Sequence, residues 1–155
     1  MCVTSIASAE WEVTQLTHNI HLDTDHQISE SGQVVWRGFI DGSTNSEAFE
    51  IFYYDGVSIN QLTDNSNDTN PQINANGHVV WCGVGGVSSI TGWEIYYYNG
   101  TSVSQLTNNS YDDDFPQIND SGHIVWAGED GSDWEIYYYD GVTTTPLTED
   151  RKSVV

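Results

Sequence analysis

One aromatic phrase is written three times in this chain: FEIFYYDG at Phe49 to Gly56, WEIYYYNG at Trp93 to Gly100, and WEIYYYDG at Trp134 to Gly141. Around it the triplet QLT recurs at Gln15, Gln61 and Gln105, with PLT at Pro146, in steps of 46, 44 and 41 residues. VVW, VVW and IVW end at Trp36, Trp81 and Trp126. A chain with such a period is an array of equivalent units, each covering its apolar surface with the next. None of it has helical periodicity, so the units are built from strands.

Each unit reads as four short strands, A to D. In the third unit these are PQIN from Pro116 to Asn119, HIVWAG from His123 to Gly128, WEIYYYD from Trp134 to Asp140, and TTTPLT from Thr143 to Thr148. Gly32, Gly77 and Gly122 close the A–B turns, where positive φ is needed. Asp55-Gly56, Asn99-Gly100 and Asp140-Gly141 predict type I′ hairpins between C and D, with both central residues at positive φ. In strand C, Ile136 and Tyr138 point to one face while Tyr137 and Tyr139 point to the other, so neither face is polar. A sheet wet on one side alternates with polar residues; a sheet held between two neighbours needs bulk on both. That pattern, with a period in the forties, predicts blades of a β-propeller, and the aromatic run is packing.

The motifs PQIN.SGHIVW and EIYYYDG....LT resemble the TolB-type β-propeller repeat, over Glu12 to Thr148. The resemblance implies an all-β propeller and leaves function broad, since such propellers serve as scaffolds, receptors and enzyme-associated domains. One departure is Asn or Ser with a variable residue where the family's turn commonly has Ser-Pro-Asp-Gly. The expected architecture is three four-stranded antiparallel blades, at about 18–63, 64–107 and 108–149 within 10–149, plus a leading outer D strand, WEVTQLT, at Trp11 to Thr17. Propellers use ~4–8 blades, so three imply either part of a larger propeller or two chains pooled into a six-bladed ring. The leading strand favours the first. Ala7-Ser8-Ala9 before Glu10 marks 1–9 as the remnant of a secretory signal peptide, and DRKSVV at 150–155, which breaks the repeat, reads as a non-native tail.

Against 23 acidic residues stand three basic ones, Arg37, Arg151 and Lys152, for a net charge of −20. Phosphate binding needs a basic face, so nucleic acid and anionic membrane surfaces are excluded as partners. No apolar run approaches the ~18 residues that span a bilayer. Cys2 falls in the signal remnant, leaving Cys82 without a partner for an internal disulfide.

The strand order puts the B–C loops and D–A crossings at one end, opposite the tight A–B and C–D turns. All variation in length lies at the loop-bearing end, where binding usually resides. The crossings hold Asp23, Asp25, Asp64, Asp68, Asp112, Asp113 and Asp114, and the third B–C loop adds Glu129, Asp130 and Asp133. Such carboxylates suit Ca²⁺, but they equally keep an aromatic-rich chain soluble, and EDGSDWE lacks the spacing of a calcium loop. His18, His21 and His26 lie near Asp23 and Asp25 in one crossing only, at irregular spacing. His78 and His123 take the place of Gln33 at the blade rim, and Cys82 aligns with Arg37 and Ala127, a position that tolerates any residue. No nucleophile elbow, Ser/His/Asp set or phosphate loop occurs. The reading assigns no catalytic residue, metal ligand or cofactor. It expects a secreted, periplasmic or cell-surface propeller module binding a protein or glycan at its loop-bearing face, and leaves a homo-oligomer open. The alternatives are the propeller portion of a secreted hydrolase or peptidase, and a lectin-like homo-oligomer.

Overall fold

The computed structural model describes residues 12–40, 49–65, 67–85 and 92–149. The expected signal remnant at 1–9, the tail at 150–155 and most of the first two B–C loops lie outside the described residues.

The described chain is all-β, and its twelve strands form three four-stranded antiparallel sheets. The first comprises β1 (Asp23–Ile28), β2 (Val34–Phe39), β3 (Phe49–Tyr54) and β4 (Ile59–Gln61). The second comprises β5 (Asp68–Ile73), β6 (Val79–Gly85), β7 (Gly92–Tyr98) and β8 (Val103–Gln105). The third comprises β9 (Asp113–Ile118), β10 (Ile124–Glu129), β11 (Trp134–Tyr139) and β12 (Thr144–Pro146). Each is a meander in chain order, so strands A to D of the sequence reading are recovered in sequence and pairing.

Two aromatic-aliphatic cores join the sheets. Val35, Ile51 and Tyr53 of the first sheet pack against Val79 and Trp81 of the second, with Tyr96 and Tyr98 alongside. Val80, Cys82 and Ile95 of the second pack against Ile124 and Trp126 of the third, with Tyr97, Tyr137 and Tyr139 alongside. Strand β7 therefore sends Tyr96 and Tyr98 to one neighbour and Ile95 and Tyr97 to the other, as the doubly apolar pattern requires. Each Trp of strand B stacks on the aromatic ring facing it from strand C, at 5.8 Å for Trp36 with Phe52, 5.9 Å for Trp81 with Tyr96, and 5.8 Å for Trp126 with Tyr137.

Three expectations need correction. Strand A starts earlier than PQIN, at Asp23, Asp68 and Asp113, because a β-bulge lets the acidic residues join the ladder. At that bulge Asp25, Asn70 and Phe115 hold φ of 52°, 53° and 56°, a left-handed conformation that is costly for Phe115. The C–D turns are not type I′. Only Gly56, Gly100 and Gly141 have positive φ; Asp55, Asn99 and Asp140 instead use a side-chain oxygen to accept N–H groups two and three residues on, as Asp55 Oδ1 does from Val57 and Ser58 at 2.7 Å. Finally, no strand forms at Glu12 to Thr17, the described part of the predicted leading D strand: no strand C of the described residues pairs with it.

The two ends of the sheets differ. At the turn end the A–B turns are tied to one another across sheets: Ser31 Oγ donates to the Ala75 carbonyl at 2.9 Å, Asn74 Nδ2 to the Asn119 carbonyl at 3.0 Å, and the Ala75 N–H to Asp120 Oδ1 at 2.9 Å. The crossings and the third B–C loop occupy the other end.

Candidate functional site

The acidic residues predicted to fringe the crossings divide into two sets. Asp68 and Asp113, the first residues of β5 and β9, are buried at the sheet interfaces, and Asp23 of β1 is half-buried. Each meets a glycine of strand B: a Cβ at Gly38, Gly83 or Gly128 would be driven into the carboxylate of Asp23, Asp68 or Asp113. This is why the sequence reads Trp-x-Gly in every unit. In the third sheet Asp113 accepts from the Trp126 indole at 2.9 Å and from Asn109 Nδ2 at 2.7 Å. In the first, Asn19 Nδ2 donates to Asp23 at 3.1 Å.

Across each interface a second carboxylate comes from strand C of the preceding sheet. Glu50 lies beside Asp68, and Glu94 is near enough to Asp113 to feel its charge; all four are buried. Thr63 Oγ donates to Glu50 at 2.7 Å while accepting the Ile51 N–H, and the Asn109 N–H donates to Glu94 at 2.9 Å. Burial pushes Asp68 up to about 7, with a smaller downward pull from Thr63 and a further push from Glu50. Burial likewise raises Glu94 and Asp113. At Asp68 the neighbouring Glu50 carboxylate thus adds to burial in favouring the protonated form. These residues are built into the packing and are not free to wrap a cation. Among the described residues no group of three or more His, Cys, Asp or Glu is placed to hold a metal ion.

The histidine cluster of the first crossing does not assemble. His18 is exposed, His21 lies 6.2 Å from the Phe39 ring, and His26 is an exposed residue of β1. His78 and His123 do sit at equivalent rim positions, each bonded through Nδ1 to a tyrosine hydroxyl, Tyr97 at 2.9 Å and Tyr138 at 3.0 Å. The position of Cys82 is more constrained than its alignment implies. Cys82 is buried and its thiol donates to Asp114 at 3.0 Å, and Arg37 at the same place reaches Thr69 at 2.9 Å, so the residue touches the next sheet. Burial raises the Cys82 thiol far above its ordinary range, which leaves no thiolate for chemistry.

One feature that sequence reasoning missed is a pocket found twice, at equivalent places. In the third sheet it measures about 220 Å³ and lies between the crossing after β8 and the loop end of β10. Its floor is Asp113, Trp126 and Tyr137; its rim is Asn108, Asn109 and Glu129. In the first sheet a pocket of about 300 Å³ has Asp23, Trp36 and Phe52 as floor and His18 and Asn19 as rim. The rim of the third-sheet pocket is continuous with the loop end. The Glu129 N–H donates to the Asp112 carbonyl at 2.8 Å, Asp112 Oδ1 accepts the Trp93 N–H at 3.0 Å, and Gly131 of the B–C turn packs against the half-open Tyr111 ring. Repeat spacing marks the floor residues, but a pocket arises from how crossing and sheet meet in space.

Compared with protein-family models and with curated proteins, the chain gives no match.

Proposed function

We propose that the three sheets are consecutive blades of a β-propeller, and that the chain is a non-catalytic binding module of a secreted, periplasmic or cell-surface protein. Sheets that meet face to face in chain order, with every strand C apolar on both sides, support the blade reading. The repeated pocket at the loop-bearing end is the observation that carries the binding reading. An aromatic floor rimmed by amide and carboxylate groups offers stacking area with hydrogen-bond acceptors and donors for hydroxyls. That suits a glycan better than an apolar peptide. Neither pocket is lined by Lys or Arg, which disfavours anionic ligands.

The test is titration calorimetry of the purified chain against neutral and amino-sugar oligosaccharides chosen by glycan array. Asn108→Ala and Glu129→Gln, both on the pocket rim, weaken binding about tenfold or more, the loss of one or two hydrogen bonds to a polar ligand. Asn76→Ala, at the turn end, leaves it unchanged. Binding that ignores the rim variants, or an absence of glycan binding beside binding of a defined secreted protein, overturns the glycan reading.

A further inference from the structure

On the outermost faces of the array, positions whose counterparts are buried between sheets stand open among the described residues. Ile136 of β11 is 42% exposed, while Ile95 at the same place in β7 is fully buried against the third sheet. Ile28 of β1 is 71% exposed, while its counterparts Ile73 and Ile118 pack into the two cores. Glu135 meets no aspartate of a following sheet among the described residues, whereas Glu50 and Glu94 each meet the Asp of the next sheet. The open face of the third sheet thus repeats the surface that the second offers forward. The open face of the first repeats the surface that the second offers backward.

The segment before β1 is also half of a motif. In each sheet the Leu-Thr after strand D is clamped by strand C: Leu62 N–H to the Ile51 carbonyl and Ile51 N–H to Thr63, with the same pair at Leu106, Ile95 and Thr107, and at Leu147, Ile136 and Thr148. Leu16 and Thr17 are half-buried at the matching place beside Trp36, and Gln15 caps the Thr17 carbonyl at 2.6 Å as Gln61 caps that of Thr63. Yet no strand C pairs with them among the described residues. Strand β12 is exposed throughout, as β4 and β8 are, but it carries Pro146 where they have glutamine, and Leu147 just after it is 59% exposed where Leu62 and Leu106 pack into the cores.

We propose that a second copy of this chain covers these faces, the third sheet of each copy docking on the first sheet of the other, with Glu12 to Thr17 replacing β12 as the outer strand of the partner's third sheet. The proposal rests on the blade reading above. Two copies would bring six blades into one ring, a number within the ~4–8 that close one. Exchanging one outer strand for another leaves the ladder bonds balanced, so burial of the Ile28 and Ile136 faces decides the equilibrium.

The mass of the full chain is measured by sedimentation and native mass spectrometry over a wide concentration range, with Ile28→Asp and Ile136→Asp made separately. The expected species is a pair. Each variant, placed on an already exposed residue, melts like the parent but weakens pairing about thirtyfold or more. Mixing the two variants restores a pair, because the intact third-sheet face of one meets the intact first-sheet face of the other. In a Cys2→Ser background, Thr14→Cys and Tyr138→Cys on different copies cross-link on mild oxidation, since Thr14 inherits the register in which Thr145 faces Tyr138. A monomer at every concentration, or pairing untouched by Ile28→Asp, overturns the docking and leaves the blade reading standing. A ladder of trimers and longer species with the same cross-link overturns ring closure, and with it the blade reading.

Discussion

The second and third sheets are built from nearly the same sentence, yet among the described residues the second is covered on both faces and the third on one. WEIYYYNG and WEIYYYDG have the same ladder, the same Trp stacking and the same His–Tyr bond at the rim. Ile95 is fully buried and Ile136 is 42% exposed. The difference lies wholly in the neighbour. A strand pattern states what a face can bury, and tertiary contact decides whether it does.

The sharpest way to break this comparison is to make the same substitution in both sheets. Ile95→Ala is expected to cost about 2–5 kcal/mol, through lost transfer energy and a cavity that the rigid interface cannot fill. Ile136→Ala in a dilute, unpaired sample costs below about 1 kcal/mol, as at open sites. Chemical denaturation with a constant m-value checks both. Equal costs would mean that the third sheet is covered in solution.

The tyrosines sharpen the same point within one strand. In β7, Tyr96 and Tyr97 face different sheets, and replacing either with Ala costs about 2–4 kcal/mol, short of a wholly buried ring because each keeps some exposure. In β11 the effects separate: Tyr137, against the second sheet, matches Tyr96, while Tyr138, on the open face, costs less than half as much. From sequence alone both β11 substitutions are expected to destabilise equally. Thermal melts of the four variants decide between the two.

Strand order, pairing and the two-faced packing were legible because period-two patterning and turn glycines are local signals that repeat. The carboxylates were misplaced for a physical reason. Asp at the start of a strand violates the usual rule for the interior, and only the bulge, with its left-handed residue at Asp25, Asn70 or Phe115, turns Asp23, Asp68 and Asp113 toward the neighbouring sheet. The invariant Trp-x-Gly was the available clue, since a strand glycine signals close approach by another group. The repeated pocket had no such clue, because its rim comes from crossings whose path no pattern fixes.

Those carboxylates predict an inverted pH dependence that separates the inner interfaces from the exposed turns. A carboxyl whose folded pKa lies above its unfolded value binds more protons when folded, so its stabilisation is full at low pH and lost as pH rises through the folded pKa. Asp68, raised to about 7, with Glu94 and Asp113 also raised, places that loss between about pH 4 and 8. Asp55, Asp130 and Asp140, lowered chiefly by backbone N–H donors in their turns, act oppositely and lose their contribution only below about pH 4. Stability is therefore expected to fall by about 2 kcal/mol from pH 5 to 8. Asp68→Asn removes most of that slope, whereas Asp140→Asn leaves it in place. A stability that rises over the same range would show that Asp68, Glu94 and Asp113 ionise in the interfaces without penalty.

The smallest effect tests the turn end, where the inner sheet again differs from the outer ones by having neighbours on both sides. The second sheet's A–B turn receives Ser31 Oγ at the Ala75 carbonyl and sends the Ala75 N–H to Asp120 and Asn76 Nδ2 to the Asp120 carbonyl. Asp120→Ala removes one exposed side-chain acceptor and leaves the backbone carbonyl bond to Asn76 in place. Its expected cost is about 0.5–1 kcal/mol, the net worth of one hydrogen bond in contact with water. Asp140→Ala, in the C–D turn of the third sheet, removes an acceptor of two N–H groups that touches no other sheet. The two losses are similar in size but differ in reach. Hydrogen exchange after Asp120→Ala quickens at Ala75 in the second sheet, whereas after Asp140→Ala it quickens only at Val142 and Thr143. If Asp120→Ala leaves Ala75 protected, the turns are held by their own sheets alone, and the cross-sheet ties add nothing to the register between neighbours.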